Sequence, residues 1–224
     1  MRAIFPIVLL ISAGAWARTE DRSVGDFAAV HVCCGIAAQI EIGPRRPVHV
    51  EGDDAALEAL ETVIEDGALQ VRFKEGTRLR GEHHVKVTVQ TPELRELAVS
   101  GGSAVRAAFT RGDRSEIHAS GGSELTVRGI DAARLQIHAS GGSVLDVQGS
   151  ADALELHMSG GSQLHGRDLS VRDVDIEGSG GSQANLKATG NVRGGLSGGS
   201  QLHARGAAKT RVSTSGGSEV YVDD

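Results

Sequence analysis

Aromatic residues make up only 3 % of this 224-residue chain. That excludes a core built around large rings, and it leaves few of the aromatic platforms on which sugars stack. Cysteine is nearly absent: Cys33 and Cys34 are the only two, and they are adjacent. No disulfide framework and no C-x-x-C redox motif is therefore available. Neighbours on a strand point to opposite faces, which places this pair poorly for bridging each other. The expected state is a small buried pair; a strained vicinal bridge and a link to a second chain stay open. No apolar run reaches the roughly 20 residues of a membrane-spanning helix. Basic residues form no block, and the net charge is −6, which argues against nucleic acid or an anionic membrane as partner.

Glycine, in contrast, is abundant at 31 residues, about twice the usual share. Much of it lies in seven copies of Ser-Gly-Gly-Ser starting at Ser100, Ser120, Ser140, Ser159, Ser179, Ser197 and Ser215. The steps between copies are 20, 20, 19, 20, 18 and 18 residues, the period of one solenoid coil. Three residues before each motif stand Leu97, Ile117, Ile137, Leu156, Ile176, Gly194 and Val212. Five residues after its first serine stand Val105, Leu125, Leu145, Leu164, Ala184, Leu202 and Val220. Apolar and polar residues alternate on both sides, which is the pattern of strands with one buried face.

Each coil thus reads as two strands meeting at a Gly-Gly corner, and linkers would not carry this phase. The corner glycines are Gly101 and Gly102, Gly121 and Gly122, Gly141 and Gly142, Gly160 and Gly161, Gly180 and Gly181, Gly198 and Gly199, and Gly216 and Gly217. Stacked corners approach at the strand spacing of about 4.8 Å, where a side chain would crowd the next coil. A second, looser corner falls at Gly129-Ile130-Asp131 and Gly149-Ser150-Ala151-Asp152. The fold class expected is all-β, a parallel β-solenoid of about 19–20 residues per coil with Ser-Gly-Gly-Ser corners.

Residues 1–17 read as a signal peptide: Arg2, an apolar stretch from Ala3 to Ile11, and an Ala15-Trp16-Ala17 cleavage site. No cysteine follows that site, so a lipid anchor is not expected. The exported chain then divides into a degenerate solenoid part, residues 18–98, and the regular repeat, residues 99–224, with no linker composition between them. Val30 to Ile36 aligns with Leu97 to Ser103, and Ala38, Ile40 and Ile42 continue the inward phase. Strands are expected at Pro47–Glu51, Ala68–Phe73 and His84–Thr91. A short helix is expected over Asp53–Glu61, its acidic start matching the helix dipole.

The opening VGDFAAVHVCCGI, the segment VHVEGDDAALEALETVIEDGALQVRF and the Ser-Gly-Gly-Ser ladder together resemble the bacterial putative autotransporter adhesin, head GIN domain family, over roughly residues 24 to 224. The resemblance implies a right-handed parallel β-helix in a secreted or envelope-associated protein. Here Cys33 and Cys34 occupy the first turn, and Ala37 follows Gly-Ile. Since the sequence stops at Asp224 just after the last coil, the expectation is of a head module without a translocator barrel.

Outward positions stack into ladders, and these carry the candidate sites. Two residues before the motif, His118, His138 and His157 stack beside Glu116, Gln136 and Glu155. Imidazoles flanked by carboxylates are a possible transition-metal site, with His118, His138, His157, Glu116 and Glu155 as ligands. The alternatives are a proton-sensing stack near pH 6 and plain exposed histidine copied by the repeat. After the motif, a flat face of Gln, Asn, His and Arg offers Arg128, Arg167, Gln183, Lys187 and Arg205 for polar polymers such as glycans. An ordinary solvated sheet face is the plainer reading.

Catalysis is not expected. Asp146, Asp168, Asp173 and Asp175 do not cluster in repeat phase, and Ser-Gly-Gly-Ser is not the G-x-S-x-G elbow. No catalytic residue and no cofactor is nominated. The function expected is a non-catalytic, exported, adhesin-like module for envelope or cell-surface polymers. Partners would be glycans or envelope proteins. A structural module that pairs into homo-oligomers and a metal- or pH-responsive envelope protein are the alternatives.

Overall fold

The computed structural model describes residues 18–77, 84–207 and 209–223; the signal-peptide reading of residues 1–17 lies outside them. In chain order the first elements are β1 (Arg18–Arg22), β2 (Ala29–Val32), β3 (Ala37–Ile42), β4 (Val48–Gly52), α1 (Asp54–Ala59), β5 (Leu60–Glu65), β6 (Ala68–Phe73) and β7 (Val85–Thr91). The repeat region follows with β8 (Glu96–Val99), β9 (Ala104–Ala108), β10 (Gly112–Ala119), β11 (Glu124–Ala139), β12 (Val144–Met158), β13 (Gln163–Gly178), β14 (Gln183–Ala188), β15 (Asn191–Leu196), β16 (Gln201–Arg205), β17 (Lys209–Thr214) and β18 (Glu219–Asp223).

Parallel pairing one coil at a time makes an all-β solenoid. The column Glu96, Glu116, Gln136, Glu155, Asp175, Arg193, Arg211 is in continuous register. So is Ala104, Glu124, Val144, Gln163, Gln183, Gln201, Glu219. The middle coils do not break at a second corner. The strands β11, β12 and β13 each run unbroken from one Ser-Gly-Gly-Ser to the next. They bend where the register slips, between Val127 and Ile130, Asp146 and Gly149, and Gly166 and Ser170. Such bulges absorb the difference between 20-, 19- and 18-residue coils without disturbing the inward phase.

The core is a narrow column of Val, Leu, Ile and Ala. Ile117, Ile137, Leu145, Leu156 and Leu164 are wholly buried, each contributing about 1.5–3 kcal/mol relative to an exposed side chain. The second serine of six motifs belongs to this interior: Ser103, Ser123, Ser143, Ser162, Ser182 and Ser200 are all at most 2 % exposed. Their hydroxyls are satisfied along and between coils. Ser162 donates to the Ala139 carbonyl at 3.3 Å and the Ser159 carbonyl at 3.0 Å, and Ser182 donates to Ser200 Oγ at 3.2 Å. Gly160 shows why the first glycine is needed. Its φ is +66°, and a Cβ there would lie 2.7 Å from the Gly141 carbonyl oxygen of the coil below.

The N-terminal part corrects the expectation of a simple degenerate repeat. The coil made by β2 and β3 does stack on β8 and β9, with Val30 opposite Leu97 and Val32 opposite Val99. Its other side, however, is covered by later segments, β6 on β2 and β7 on β3. Antiparallel strands then close that end: β5 on β6, β4 on β7 and β1 on β4. The helix is shorter than expected, Asp54–Ala59. Asp53 caps it by accepting from the Ala56 N–H at 3.0 Å. Ile42 is not inward but 37 % exposed, because β9 pairs with β3 only as far as Ile40.

The cysteines overturn the expectation of a buried pair. Cys33 and Cys34 are disulfide-bonded to each other; Cys33 is half-buried and Cys34 exposed. Cys34 has a φ of +73°, in the same left-handed region as the first glycine of each later corner. Its backbone N packs against Gly101 of the next coil.

Candidate functional site

Two outward faces meet at the Gly-Gly turns, and the side chains that β10–β13 place on the first of them form the histidine stack. His118, His138 and His157 are directly in register. Their rings lie parallel, with centroids 5.0 and 4.9 Å apart. The neighbouring column binds this stack down. His118 Nε2 pairs with Glu116 Oε1 at 2.8 Å, and Arg114 holds the other Glu116 oxygen at 3.0 Å. Gln136 donates to Glu155 at 2.6 Å. His157 pairs with Glu155 at 3.0 Å and with Glu177 at 3.2 Å. Next along the solenoid, Arg193 donates to Asp175 at 3.0 Å, and Arg172 donates to Asp173 at 2.9 Å.

The titration behaviour follows from these contacts. Burial, with His118 and His157 on either side, holds His138 below the usual histidine range. Its hydrogen bond to Glu155 holds His157 above that range. Glu155 is lowered by His157 and Gln136. Glu116 is partly desolvated, yet His118 and Arg114 still bring it below the carboxylate norm. Asp173 is pulled down to about 2 by the backbone N–H and side-chain amide of Asn191, with Arg172 beside it.

A groove of about 960 Å³ runs along the edge of this stack, between the histidines and the first serines Ser120, Ser140, Ser159 and Ser179. It opens out at Gly194 and Gly195, where the column carries no side chain; a Cβ on Gly194 would overlap the Ile176 carbonyl. The structure thus brings all five nominated metal ligands together, but as three parallel rings, the outer two tied to carboxylates, and not as a convergent donor set. Among the described residues no three His, Cys, Asp or Glu are grouped so as to hold a metal ion. His31 stands apart from the stack, since Ala98 lies between it and His118. It pairs instead with Glu96 at 3.0 Å and Gln70 at 3.1 Å.

The second face is built by β13, β14, β16 and β18. Gln163, Gln183 and Gln201 form one column, and His165, Asn185 and His203 the next. Lys187 is opposite Arg205, and Arg167 joins them around a shallow depression that also includes Asn185, His203 and Asp223. Four of the five nominated residues therefore gather here. Arg128 does not: Gln148 separates it from Arg167 in the repeat phase. What sequence reasoning missed is the buried serine column, and it ranked the vicinal disulfide of Cys33 and Cys34 below a buried pair. The column was signalled by position, because the second serine shares the odd phase of the inward residues.

The family described as "Putative auto-transporter adhesin, head GIN domain" matches residues 26–208. The chain belongs to that family. Among curated proteins none matches it. Solved structures with the same fold include a putative adhesin from Bacteroides fragilis, 14 % identical with a TM-score of 0.83, covering 94 % of this chain and 98 % of that one. A putative lipid binding protein from Parabacteroides distasonis is 17 % identical with a TM-score of 0.69, covering 92 % and 96 %. A putative adhesin from Parabacteroides merdae is 16 % identical with a TM-score of 0.64, covering 93 % and 96 %. At such identities these structures speak to the fold alone. Membership in the head GIN domain family makes this solenoid a non-catalytic binding module of adhesin type that works outside the cytoplasm. No helix among the described residues is long and apolar enough to cross a membrane.

Proposed function

We propose that the chain is an exported, adhesin-like module whose solenoid, right-handed as the family resemblance implies, presents the second face to envelope or cell-surface polymers, glycans first. Cleavage after Ala17 would release it, with residues 18–98 forming the closed end and 99–224 the binding repeat. One observation carries this reading: Gln163, Gln183 and Asn185 form no side-chain hydrogen bond, and Arg167, Lys187 and Arg205 none and no ion pair, although all are held on one rigid sheet. Free amides and cations at fixed spacing suit a hydroxyl-rich polymer contacted many times weakly. The lipid-binding description of the Parabacteroides distasonis relative finds little support here. The large hydrophobics exposed among the described residues are Ile42, Val63, Tyr221 and Val222, and they make no patch on this face. Nor does the histidine stack support a metal-responsive role, since His118 and His157 are paired with carboxylates of the same sheet and the three rings lie parallel.

The test is binding of residues 18–224 to a broad array of bacterial and host glycans at physiological salt. Saturable binding that falls when Gln183 and Arg167 are changed to Ala is the expected result. A blank array overturns the polymer reading.

A further inference from the structure

Three cations on the second face, Arg167, Lys187 and Arg205, form no ion pair among the described residues, in a chain whose net charge is −6. Several exposed arginines are neutralised: Arg72 by Glu61 and Glu65, Arg114 by Glu116, Arg172 by Asp173, Arg193 by Asp175; Arg46, Arg106 and Arg128 are exposed without an ion pair. The unpaired Arg134, Lys209 and Arg211 share their depression with Glu155, Asp173 and Asp175. The block from Gln163, Gln183 and Gln201 across to Arg167, Lys187 and Arg205 holds no ion-paired carboxylate; Asp223 stands opposite Arg205 at its last coil. Acidic groups stand only at its margins. Asp146 is occupied by His165 at 3.3 Å, Glu219 by Gln201 and Tyr221, and Asp168 and Asp223 are exposed.

Like charges directly opposite on adjacent strands repel, and Lys187 faces Arg205 in register; Asp223 faces Arg205 from its other side, whereas Lys187 has no opposite charge in register. The free fold bears that repulsion, and a ligand with regularly spaced negative charge would relieve it. We infer that this face binds an acidic polysaccharide laid along the solenoid axis. Its carboxylates meet Arg167, Lys187 and Arg205, and its hydroxyls meet the amides of Gln163, Gln183 and Asn185. The inference rests on the polymer-binding reading above and adds the charge class of the polymer. Nucleic acid is disfavoured because the rings in the block are already engaged, His165 with Asp146 at 3.3 Å and His203 stacked on Tyr221 at 4.5 Å, which leaves none free to stack a base. A membrane is disfavoured because the block is polar throughout.

The experiment compares binding of residues 18–224 to polygalacturonate, to its fully methyl-esterified neutral form, and to polyglutamate, each across a salt series. Binding to polygalacturonate alone, weakened by salt, is expected. The Arg167→Gln, Lys187→Gln, Arg205→Gln variant should lose about ten-fold in affinity, as three exposed charge contacts would give, while Arg134→Gln with Arg211→Gln loses little. The single Lys187→Gln variant and the salt series on the unaltered chain test the same point should the triple variant fail to fold. Equal binding to the neutral ester overturns the acidic class and leaves the polymer reading standing. Equal binding to polyglutamate overturns the polysaccharide assignment. Equal loss in the Arg134 and Arg211 control overturns the placement on this face. No binding to polygalacturonate overturns the inference, and the glycan array decides separately whether the broader reading falls with it.

Discussion

The two faces that meet at the Gly-Gly turns share one backbone, one period and one core, yet they treat charge in opposite ways. On the histidine face each carboxylate of the middle coils meets a partner on its own or the next strand, as Glu116 does with His118 and Arg114. On the glutamine face Arg167, Lys187 and Arg205 form no ion pair, and only Arg205 has a carboxylate, Asp223, opposite it. A repeat multiplies whatever sits at a position, so a self-complementary column stabilises itself coil by coil, and a like-charged column accumulates unsatisfied potential. The first face is therefore fitted to hold the solenoid together and the second to engage something outside it.

The largest perturbation should be blind to this difference. Leu145→Ala removes a fully buried side chain from the shared core and should cost about 2–5 kcal/mol in denaturant unfolding, with ligand binding failing only as the fold is lost. A selective loss of binding in a variant that unfolds normally would break the idea of a common scaffold.

Smaller, and aimed at the contrast itself, is the pair Glu155→Gln and Lys187→Gln. Glu155 serves both Gln136 and His157, so its replacement should lower stability by about 0.5–1 kcal/mol. Lys187 relieves a repulsion when neutralised, so thermal melting of that variant should be unchanged or slightly raised. Equal destabilisation by both would erase the distinction between the faces.

Smallest in energy is the behaviour with pH. The contribution of His157, whose folded pKa is raised, is full below the ordinary value of 6.5 and fades as pH rises through the folded one. For His138, lowered in the fold, stability is full above 6.5 and fades as pH falls through the folded value. Glu116 and Glu155 lose their contribution only at lower pH, as they fall through their depressed values. Imidazole NMR should accordingly show His157 taking its proton before His138 as pH is lowered; coincident titration would mean the stack is not coupled as described.

Much of the fold was legible because the repeat prints its own register. Most columns read from residue spacing are found in the sheet, and Val30 does face Leu97; the column eight residues after the motif is found only in part, since the register slips and Lys187 pairs with Ser170, not Arg167. The closed end was not legible in the same way. Nothing local says that β6 will lie against β2, 39 residues earlier at His31 and Gln70. The hairpin of β5 and β6 did leave a mark. Asp66 and Gly67 both have positive φ, 50° and 79°, as an Asp-Gly hairpin turn requires. The cysteine pair misled because strand geometry was applied to residues that sit in a turn. As for the candidate site, Gln183, Lys187 and Arg205 could be placed on one face by phase alone. Which charges have partners could not, because pairing depends on side chains meeting across bulged coils of unequal length.

The buried serines have a consequence for how such a chain can change. From Ser123 to Ser200, the inward hydroxyl of each motif reaches a carbonyl or another serine of its own or an almost identical coil. A slip of one residue would strand it in an apolar interior, whereas the gain or loss of a whole coil presents the same partner again. The molecule is thus intolerant of small insertions next to the corner serines, where no bulge takes them up, and permissive toward a whole coil, so that its length, and with it the number of rungs offered to a ligand, can vary by duplication while the fold stays the same.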